Sequence, residues 1–419
     1  MFRAALSGAP ARRFFAAHAQ SCVGTGLAYV ALPLLAYERF GSAWAVALVL
    51  LPDLLPAIVL GPLLGALVDR VGWRLCAVVA DVLRCGAFVA VTVAGSLPVM
   101  IACAGVAGLG TALFVPSALA GLPRLLRGER VRAAGMGLYS VFDDLGMIAG
   151  PAVAAGLLAV LSPSALLGLN ALTFAVSAGV LASIPAARRS RPASASPAAR
   201  TSLFADTRAG VRALGARPEI RVLLTSSTAV VLCIGVTNVG EVVLAREVLG
   251  VGGTGLAVLV TAGGVGTILG SLCARITGAG AWAWRRAYVL GIAAMSAELI
   301  ACGVTRSFWL VVPALAVGGF GNGLALVHDR LLLTRSTPPS LHGRLFGLQK
   351  TCTASAFALS IVASGALIAE LGVHAAFLLS GVALAGVLAS VTGRLRAAWP
   401  SPAPGAAGAG PRGLGDALA

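Results

Sequence analysis

The ten residues GALVDRVGWR (65–74) separate two long apolar runs of the chain. Asp69, Arg70 and Arg74 are crowded into a segment too short for a polar domain, so the chain leaves an apolar environment here and then enters it again. Basic residues concentrate in the short cytoplasmic loops of membrane proteins, which accounts for Arg70 and Arg74. Topology alone does not account for Asp69.

The composition of the whole chain explains why such a turn exists. Of 419 residues, 58% are hydrophobic and 11% are charged, and the mean hydropathy is +0.94. A soluble domain carries about a quarter charged residues, whereas a helix that spans a bilayer needs about 20 mostly apolar residues. Apolar runs of that length recur along nearly the whole chain. The sequence therefore predicts an all-α, multi-pass membrane protein that lies in a lipid bilayer.

Twelve membrane spans are predicted, and short loops make sequence neighbours antiparallel. The predicted spans are 14–37, 44–68, 74–95, 97–121, 134–160, 164–184, 220–245, 253–275, 285–304, 308–333, 344–369 and 374–393. With a cytoplasmic N-terminus, 28 of the 31 Lys and Arg residues fall on the cytoplasmic side, and only Arg39, Arg246 and Arg306 fall outside. This distribution predicts an inner (plasma) membrane protein with both termini in the cytoplasm and a retained first helix.

The apolar segments divide into two groups of six. The predicted regions are a six-helix bundle at 1–184, a cytoplasmic linker at 185–219, a second six-helix bundle at 220–393 and a disordered cytoplasmic tail at 394–419. The linker begins rich in Pro, Ala and Ser and continues with apolar residues among arginines. That pattern predicts an interfacial helix on an anionic membrane surface.

Two internal echoes indicate that the six-helix unit is repeated. GPLLGALVDRVG (61–72) ends the second span and GTILGSLCARIT (266–277) ends the eighth, while VRAAGMGLYS opens the fifth and GRLFGLQKTC the eleventh. Repeats of this kind are typical of transporters. The pairs Gly61–Gly65 and Gly266–Gly270 also suit close helix packing in lipid.

Several classes of function are excluded by the residues. The net charge of +16 is spread between the spans without a basic face, so no nucleic-acid partner is expected. The eight cysteines stand singly and the four histidines lie in separate segments, which predicts no metal site, disulfide framework or cofactor. No catalytic triad, Walker loop or Rossmann glycine pattern is present, so we expect that the chain is not an enzyme.

Two glycines complete the turn after the second span. Gly65 allows another helix to approach closely, Gly72 permits a tight turn, and Asp69 can meet a helix N-terminus or an arginine. With Arg70 and Arg74 they form the pattern Gly-x-x-x-Asp-Arg-x-Gly-x-Arg. This pattern resembles the signature loop of the major facilitator superfamily in its spacing, its position and its side of the membrane.

That resemblance carries expectations about the fold and the loop. It implies twelve transmembrane helices in two six-helix bundles around a central cavity. It also implies that Asp69 contacts the eleventh helix, which begins near Arg344, and latches the cytoplasmic gate. Trp73 is a departure, because a basic residue is usual at its position.

A second motif, DDLGMIAGP in the fifth span, places Gly146, Gly150 and Pro151 in a Gly-x-x-x-Gly-Pro pattern. It resembles the antiporter motif of the family, which is associated with export, although glycine-mediated packing alone also explains it. The stretches ADVLRCG, FADTRAGVRAL and HGRLFGL resemble the branch that contains macrolide and enterobactin exporters. The resemblance extends over residues 14–393.

Acidic residues at mid-depth are candidates for proton coupling, because such groups are costly in lipid and usually face a cavity, a partner or an ion path. The candidates are Asp53 in the second span and Asp143 and Asp144 in the fifth. Asp143 shares a helix face with Gly146 and Gly150, and Asp144 points about 100° away from it. Structural pairing of these acids remains an alternative, although we expect no deep basic partner because Arg84 should lie nearer the cytoplasm.

Three further expectations concern neighbouring residues and the function. Glu298 receives the least weight among the acids, because the ninth helix is peripheral in the family. Asn322 and Asn170 are candidates to line the cavity. We expect a monomeric, proton-coupled exporter of a drug-like or secondary-metabolite small molecule. The alternatives are a siderophore exporter of the same fold, a membrane-embedded lipid-linked transferase and a passive channel.

Overall fold

The structure, a computed structural model, describes residues 5–185, 217–278, 280–337 and 342–398. Long helices account for nearly all of this part of the chain. They are α1 (Ala9–Phe40), α2 (Ala43–Val71), α3 (Trp73–Val93), α4 (Leu97–Leu125), α5 (Glu129–Leu157), α6 (Pro163–Ala182), α7 (Pro218–Val248), α8 (Gly253–Cys273), α9 (Ala281–Val304), α10 (Phe308–Arg335), α11 (His342–Leu371) and α12 (Val373–Ala398).

Within the described residues, 12 helices are long and apolar enough to cross a membrane, which confirms the predicted count and the all-α fold class. The predicted spans differ from these helices mainly at their ends. For example, α1 begins at Ala9 rather than near residue 14, and α12 continues to Ala398 beyond the predicted start of the tail. Polar and basic residues end a hydropathy signal, but they do not end a hydrogen-bonded helix.

The two sets of six helices pack in the same way. In the first, α1 packs against α5 and α6, while α4 packs against α2 and α3. In the second, α7 packs against α11 and α12, while α10 packs against α8 and α9. The halves meet where α2 packs on α11 and α5 packs on α8. The fold is therefore two six-helix bundles, hereafter the N-half and the C-half.

Two predicted regions fall mainly on other residues. The linker at 185–219, with its interfacial helix, lies outside the described residues except at its ends. The tail at 394–419 also lies outside them from residue 399 onward. These two assignments, with the region boundaries, remain predictions.

Alternate helix ends lie on one face of the bundle, which we call the terminal face because α1 begins there. Arg13 at the start of α1 donates a hydrogen bond of 3.0 Å to the Ser183 carbonyl after α6. In the C-half, Arg217 before α7 donates one of 2.8 Å to the Ser336 carbonyl after α10. The opposite end of the bundle, where α1 and α7 end, is the distal face.

The predicted glycine packing holds for one of the two echoed segments. A Cβ at Gly266 or Gly270 would lie 2.1 or 2.0 Å from a backbone oxygen of α10, so these glycines bring α8 and α10 together. A Cβ at Gly61 or Gly65 would meet no atom within 4 Å. The expectation of close packing is therefore wrong for α2 in this conformation, where these two glycines border open space.

Candidate functional site

Polar contacts close the distal side between the two halves. Arg246 forms an ion pair with Glu38, and the Tyr37 hydroxyl donates a hydrogen bond to Glu247. The last turn of α7, Leu244–Val248, is a π-helical turn that carries both Arg246 and Glu247. We call Tyr37, Glu38, Arg246 and Glu247 the distal gate.

A third polar contact lies deeper in the bundle and again joins α1 to α7. The Tyr29 hydroxyl donates a hydrogen bond of 2.7 Å to the Asn238 side-chain oxygen. Apolar packing closes the same side, since Gly253 at the start of α8 lies against Leu34 of α1. In the described residues, the polar contacts that join the halves cluster on this distal side.

A cavity of about 760 Å³ opens between the halves below these contacts. Its wall runs from Tyr29 and Glu241, near the distal gate, to Ser271 and Arg275, at the terminal-face end of α8. A second space of about 670 Å³ continues from it within the C-half and shares Asn322 with it. The halves are therefore joined at the distal face and parted toward the terminal face.

Two of the five predicted coupling and cavity candidates line this cavity. Asp144 and Asn322 are part of its wall. Asn170, which was expected there, is instead fully buried in α6, where Gly24 of α1 leaves room for its amide. Because Gly24 has no side chain, the Asn170 amide fits into the contact between α1 and α6. Asn170 therefore does not line the cavity in this structure.

Asp143 lies against α1 rather than in the cavity wall. His18 Nε2 is 3.3 Å from Asp143 Oδ1, and the Cys22 thiol donates a hydrogen bond of 3.3 Å to the same oxygen. In the described part of the chain, these three side chains are the one group of His, Cys and acidic residues close enough to hold a metal ion, with ligand atoms within 4.8 Å. His18 and Cys22 are buried, and their contacts with Asp143 tie α1 to α5.

The antiporter-like motif lies on the same contact. A Cβ at Gly146 would lie 2.5 Å from the Cys22 Cβ, and one at Gly150 would lie 2.3 Å from the Gly26 Cα. Pro151 follows as a buried residue inside α5. As the spacing predicted, the face shared by Asp143, Gly146 and Gly150 packs against a neighbouring helix, and that helix is α1.

Asp53 lies in a separate, smaller space. It lines a pocket of about 110 Å³ together with Tyr29, Asn238 and Glu241. Tyr29 and Glu241 also line the large cavity, so this pocket adjoins the cavity at its closed end. Asp53 thus sits on the N-half side of the point where the halves meet.

The sequence interpretation missed Glu241 and gave Glu298 too little weight, yet both line the large cavity. Glu241 falls inside the predicted seventh span, near its end at residue 245, and α7 continues past it to Val248 through its π-helical turn. Glu298 belongs to α9, which packs mainly against α10 and α12. The signal that could have found Glu298 is the glycine-rich stretch of α10 that contains Gly318.

The signature loop forms the turn between α2 and α3. Gly72 adopts a φ of 106°, which favours glycine, and thus provides the predicted tight turn. Arg74 donates a hydrogen bond of 2.8 Å to the Ala182 carbonyl at the end of α6. Asp69 and Arg70 are exposed, and Asp69 forms no ion pair with any described residue. The side chain of Arg344 lies outside the described residues.

Trp73 has a packing role where the family usually has a basic residue. Its side chain is 5% exposed, and its ring fills the space beside Gly121, where a Cβ would lie 2.4 Å from it. It also lies edge-on to Phe14, with ring centroids 6.4 Å apart. The departure from the motif therefore anchors α3 against α4 and α1.

A buried ion pair occupies the middle of the N-half. Arg84 pairs with Asp81 on α3, and its guanidinium lies over the rings of Phe114 and Phe174 at 4.4 and 4.2 Å. Arg84 is near the centre of the 21-residue α3. The expectation that it lies nearer the cytoplasm is therefore wrong, because α3 starts immediately after the turn, at Trp73, and residue 84 falls three turns into the helix.

Comparisons with known proteins agree with this geometry. A family model described as Major Facilitator Superfamily matches residues 14–360. The chain is 24% identical over 356 residues to "Uncharacterized MFS-type transporter YfiS" of Bacillus subtilis (strain 168), covering 84% of this chain and 85% of that protein. It is 28% identical over 400 residues to "Multidrug efflux pump Tap" of Mycolicibacterium fortuitum, covering 89% and 93%.

Solved structures with the same fold include two transporters. The nucleoside transporter NupG aligns with a TM-score of 0.72 at 12% identity, covering 93% of this chain and 99% of its own. An inward-facing bacterial homologue of the human lysosomal transporter Spinster aligns with a TM-score of 0.68 at 14% identity, covering 91% and 96%. The family model spans most of the sequence and the fold is that of these transporters, so the chain belongs to the major facilitator superfamily and is a multi-pass membrane transporter.

Proposed function

We propose that this transporter exports a drug-like or secondary-metabolite small molecule in exchange for protons, by alternating access. The observation that carries the proposal is the cavity of about 760 Å³, which lies between the halves and has carboxylates in its wall. A relative that is named as a multidrug efflux pump, Tap, is compatible with it at 28% identity. Rocking of two repeated bundles around a central site is the common way in which such folds move their substrates.

The proposal places the terminal face in the cytoplasm of a cell with this chain in its inner (plasma) membrane. The support is the distribution of 28 of the 31 basic residues to that side. The cavity is then open to the cytoplasm and loads substrate from there. Because the transport path lies within one chain, between the bundles at 1–184 and 220–393, a monomer suffices.

The two gates alternate in this scheme. Export requires the distal gate to open, which breaks the Arg246–Glu38 contact between α7 and α1. At the opposite face, Asp69 then meets the N-terminal end of α11 near Arg344 and holds the cytoplasmic side closed. The exposed position of Asp69 in the present conformation is compatible with an open cytoplasmic gate.

Proton exchange requires an acidic side chain that is accessible first from one face of the membrane and then from the other. Asp144 in the cavity wall and Asp53 in the adjoining pocket meet this need better than Asp143, which already contacts His18 and Cys22. Asp53 also lies beside the distal contacts between α1 and α7, which must open during export. We therefore assign proton coupling to Asp144 or Asp53.

The proposal is tested in everted membrane vesicles with an acidic lumen, in which export becomes uptake. We expect vesicles that contain the protein to take up ethidium, and we expect nigericin, which collapses the pH gradient, to stop the uptake. Vesicles from the same host without the protein are the control. Uptake that continues unchanged after nigericin would contradict proton exchange, and the absence of any protein-dependent uptake in a panel of dyes and antibiotics would contradict export.

A further inference from the structure

Glu298 lines the cavity because Gly318 of the neighbouring helix, α10, has no side chain in the space that the Glu298 carboxylate occupies. Its helix, α9, packs behind α10, and α10 forms the cavity wall at Gly318 and Gly319. A Cβ at Gly318 would lie 1.5 Å from Glu298 Oε2 and 2.1 Å from its Cδ. The carboxylate therefore occupies the space that any other residue at position 318 would fill.

This carboxylate is buried and has no hydrogen-bond or ion-pair partner among the described residues. The Glu298 side chain is 8% exposed, and it makes no hydrogen bond or ion pair with any residue that the structure describes. A buried charge is costly unless it is paired or faces a cavity or ion path. Glu298 forms part of the cavity wall, so its carboxylate meets the second of these conditions.

Glu241 brings a second acid to the same end of the cavity. It lies on α7, is half-buried, and interacts electrostatically with Glu298. The basic residue of the cavity wall, Arg275, is exposed at the terminal-face end of α8. It is 15 residues along α8 from Val260, which lines the cavity near Glu241, and this separation corresponds to roughly 22 Å. The described wall of this closed end therefore has two carboxyl groups and no basic residue, and Arg246, five residues beyond Glu241 on α7, is paired with Glu38 in the distal gate.

Apart from Thr237, the other residues that we place at this end of the cavity are apolar or aromatic. Ile234, Val260, Met295 and Leu315 line it, and Tyr29 is on the opposite side, on α1. Apolar walls favour a hydrophobic body, while two carboxylates and an aromatic ring favour a positive charge. An organic cation with an apolar body satisfies both demands.

We propose that Glu241 and Glu298 form the cation-binding end of the transport cavity, and that the substrates of this protein are lipophilic organic cations. The inference rests on the proposed export function and narrows it to a substrate class. The role of Gly318 follows from it: glycine at this position leaves the space that the Glu298 carboxylate occupies in the cavity wall, beside Met295 of the same helix.

Equilibrium binding to the full-length protein in detergent tests this assignment. The probes are tetraphenylphosphonium and tetraphenylborate, which have nearly the same shape and opposite charges. We expect the protein to bind the cation and to discriminate against the anion by at least tenfold. Detergent micelles without protein correct for partition of both probes.

Variants then locate the charge that discriminates. We expect Glu298→Gln and Glu241→Gln each to weaken tetraphenylphosphonium binding at least tenfold, and Gly318→Ala to do the same by displacing the Glu298 carboxylate. Glu129→Gln, which changes an acid at the terminal-face start of α5, is the matched control and should leave binding unchanged. Size-exclusion profiles and melting curves verify that each protein is folded, and the acids on two different helices provide independent variants.

Equal binding of the two probes, or tetraphenylphosphonium binding unchanged in folded Glu241→Gln and Glu298→Gln proteins, would overturn the assignment. Binding needs no gradient, so the assignment and the export proposal fail separately. Cation-selective binding without gradient-driven uptake would support the site and contradict export. Proton-driven uptake of neutral compounds, combined with no charge discrimination in binding, would support export and overturn the site.

Discussion

The third and ninth helices hold equivalent places in the two halves, and each sends a charged side chain past a glycine of the helix beside it. In the N-half, Arg84 of α3 passes Gly110 of α4, where a Cβ would lie 2.6 Å from the Arg84 Cγ. In the C-half, Glu298 of α9 passes Gly318 of α10. In both bundles a glycine thus makes room for a charged side chain of the neighbouring helix, and the side chain is basic in the N-half and acidic in the C-half.

The two charges differ in what they meet. Arg84 is paired with Asp81 one turn earlier and lies between two aromatic rings, so its charge is neutralised inside the bundle. Glu298 has no partner among the described residues and borders the cavity. In this fold, the paired buried charge of Arg84 holds the bundle together. The unpaired carboxyl group of Glu298 is instead available to a ligand in the cavity.

The largest effect is expected when the N-half pair is broken. Arg84→Gln leaves Asp81 as an uncompensated buried charge, which typically costs about 3–5 kcal/mol of stability. We expect most of the folded protein to be lost, as measured by size-exclusion yield and melting temperature in detergent. Glu298→Gln is the matched change in the C-half and should leave both measurements close to the wild-type values.

The paired double variant separates charge from packing in that experiment. Asp81→Asn combined with Arg84→Gln removes both charges, so we expect it to recover part of the stability that Arg84→Gln alone loses. A folded Arg84→Gln protein with the wild-type melting temperature would show that the N-half pair does not stabilise the bundle.

A smaller effect is expected from closing the two glycine gaps. At Gly110 a Cβ would lie 2.8 Å from the Ala80 backbone oxygen, so Gly110→Ala must push α3 from α4, at a cost of about 1–3 kcal/mol. At Gly318 the nearest atoms all belong to the Glu298 side chain, which can swing aside. We therefore expect Gly110→Ala to lower the melting temperature more than Gly318→Ala does. The reverse order would contradict the comparison.

Next in size is the distal gate, where the halves contact each other. Glu38 and Arg246 have side chains 33% and 30% exposed, so their ion pair contributes about 1 kcal/mol. Arg246→Gln should shift the equilibrium about fivefold toward the distally open state. Labelling of Val260→Cys by an impermeant maleimide from the distal side, in a cysteine-free background, measures this shift.

The exchange of charges in Glu38→Arg with Arg246→Glu should restore slow labelling, and fast labelling in that double variant would argue against the ion pair.

The smallest effect is expected at the terminal face. Loss of a charge that meets a helix N-terminus costs about 0.5 kcal/mol, which corresponds to roughly a twofold shift. Asp69→Asn should therefore favour the present, distally closed state, with slower labelling of Val260→Cys from the distal side and reduced transport by a well-folded protein. If labelling and transport equal those of the wild type, only the topological role of the loop remains.

The sequence predicts some of these features better than others, for physical reasons. Helix number and the turn at Gly72 depend on local patterns, so both could be predicted. The separation of Asp143 from Asp144 follows from helical geometry alone. Glu298 could not be placed, because its access to the cavity depends on Gly318 of another helix. The contact of His18 and Cys22 with α5 likewise depends on which helices become neighbours.

The sequence also does not show which side of a helix borders the cavity, for a related reason. Asn170 and Asn322 are both polar residues inside apolar helices, and only the neighbouring helix decides which of them borders the cavity. Arg84 was misplaced in depth although the start of its span was predicted to within one residue, because its pairing with Asp81 and its position over two aromatic rings depend on the neighbouring helices. Packing between helices thus limits what one sequence can show about a transport site.

Proton-driven export through carboxylates is the central claim, and gradient-driven transport measured beside counterflow tests it most directly. Proteoliposomes containing the wild type, Asp53→Asn, Asp143→Asn, Asp144→Asn and the combined variants are compared with the same substrate. Counterflow needs no net proton movement, so it reports binding and rocking alone. We predict that Asp144→Asn or Asp53→Asn abolishes gradient-driven transport and retains counterflow, while Asp143→Asn alone retains both. Gradient-driven transport that persists in the triple variant would contradict the claim.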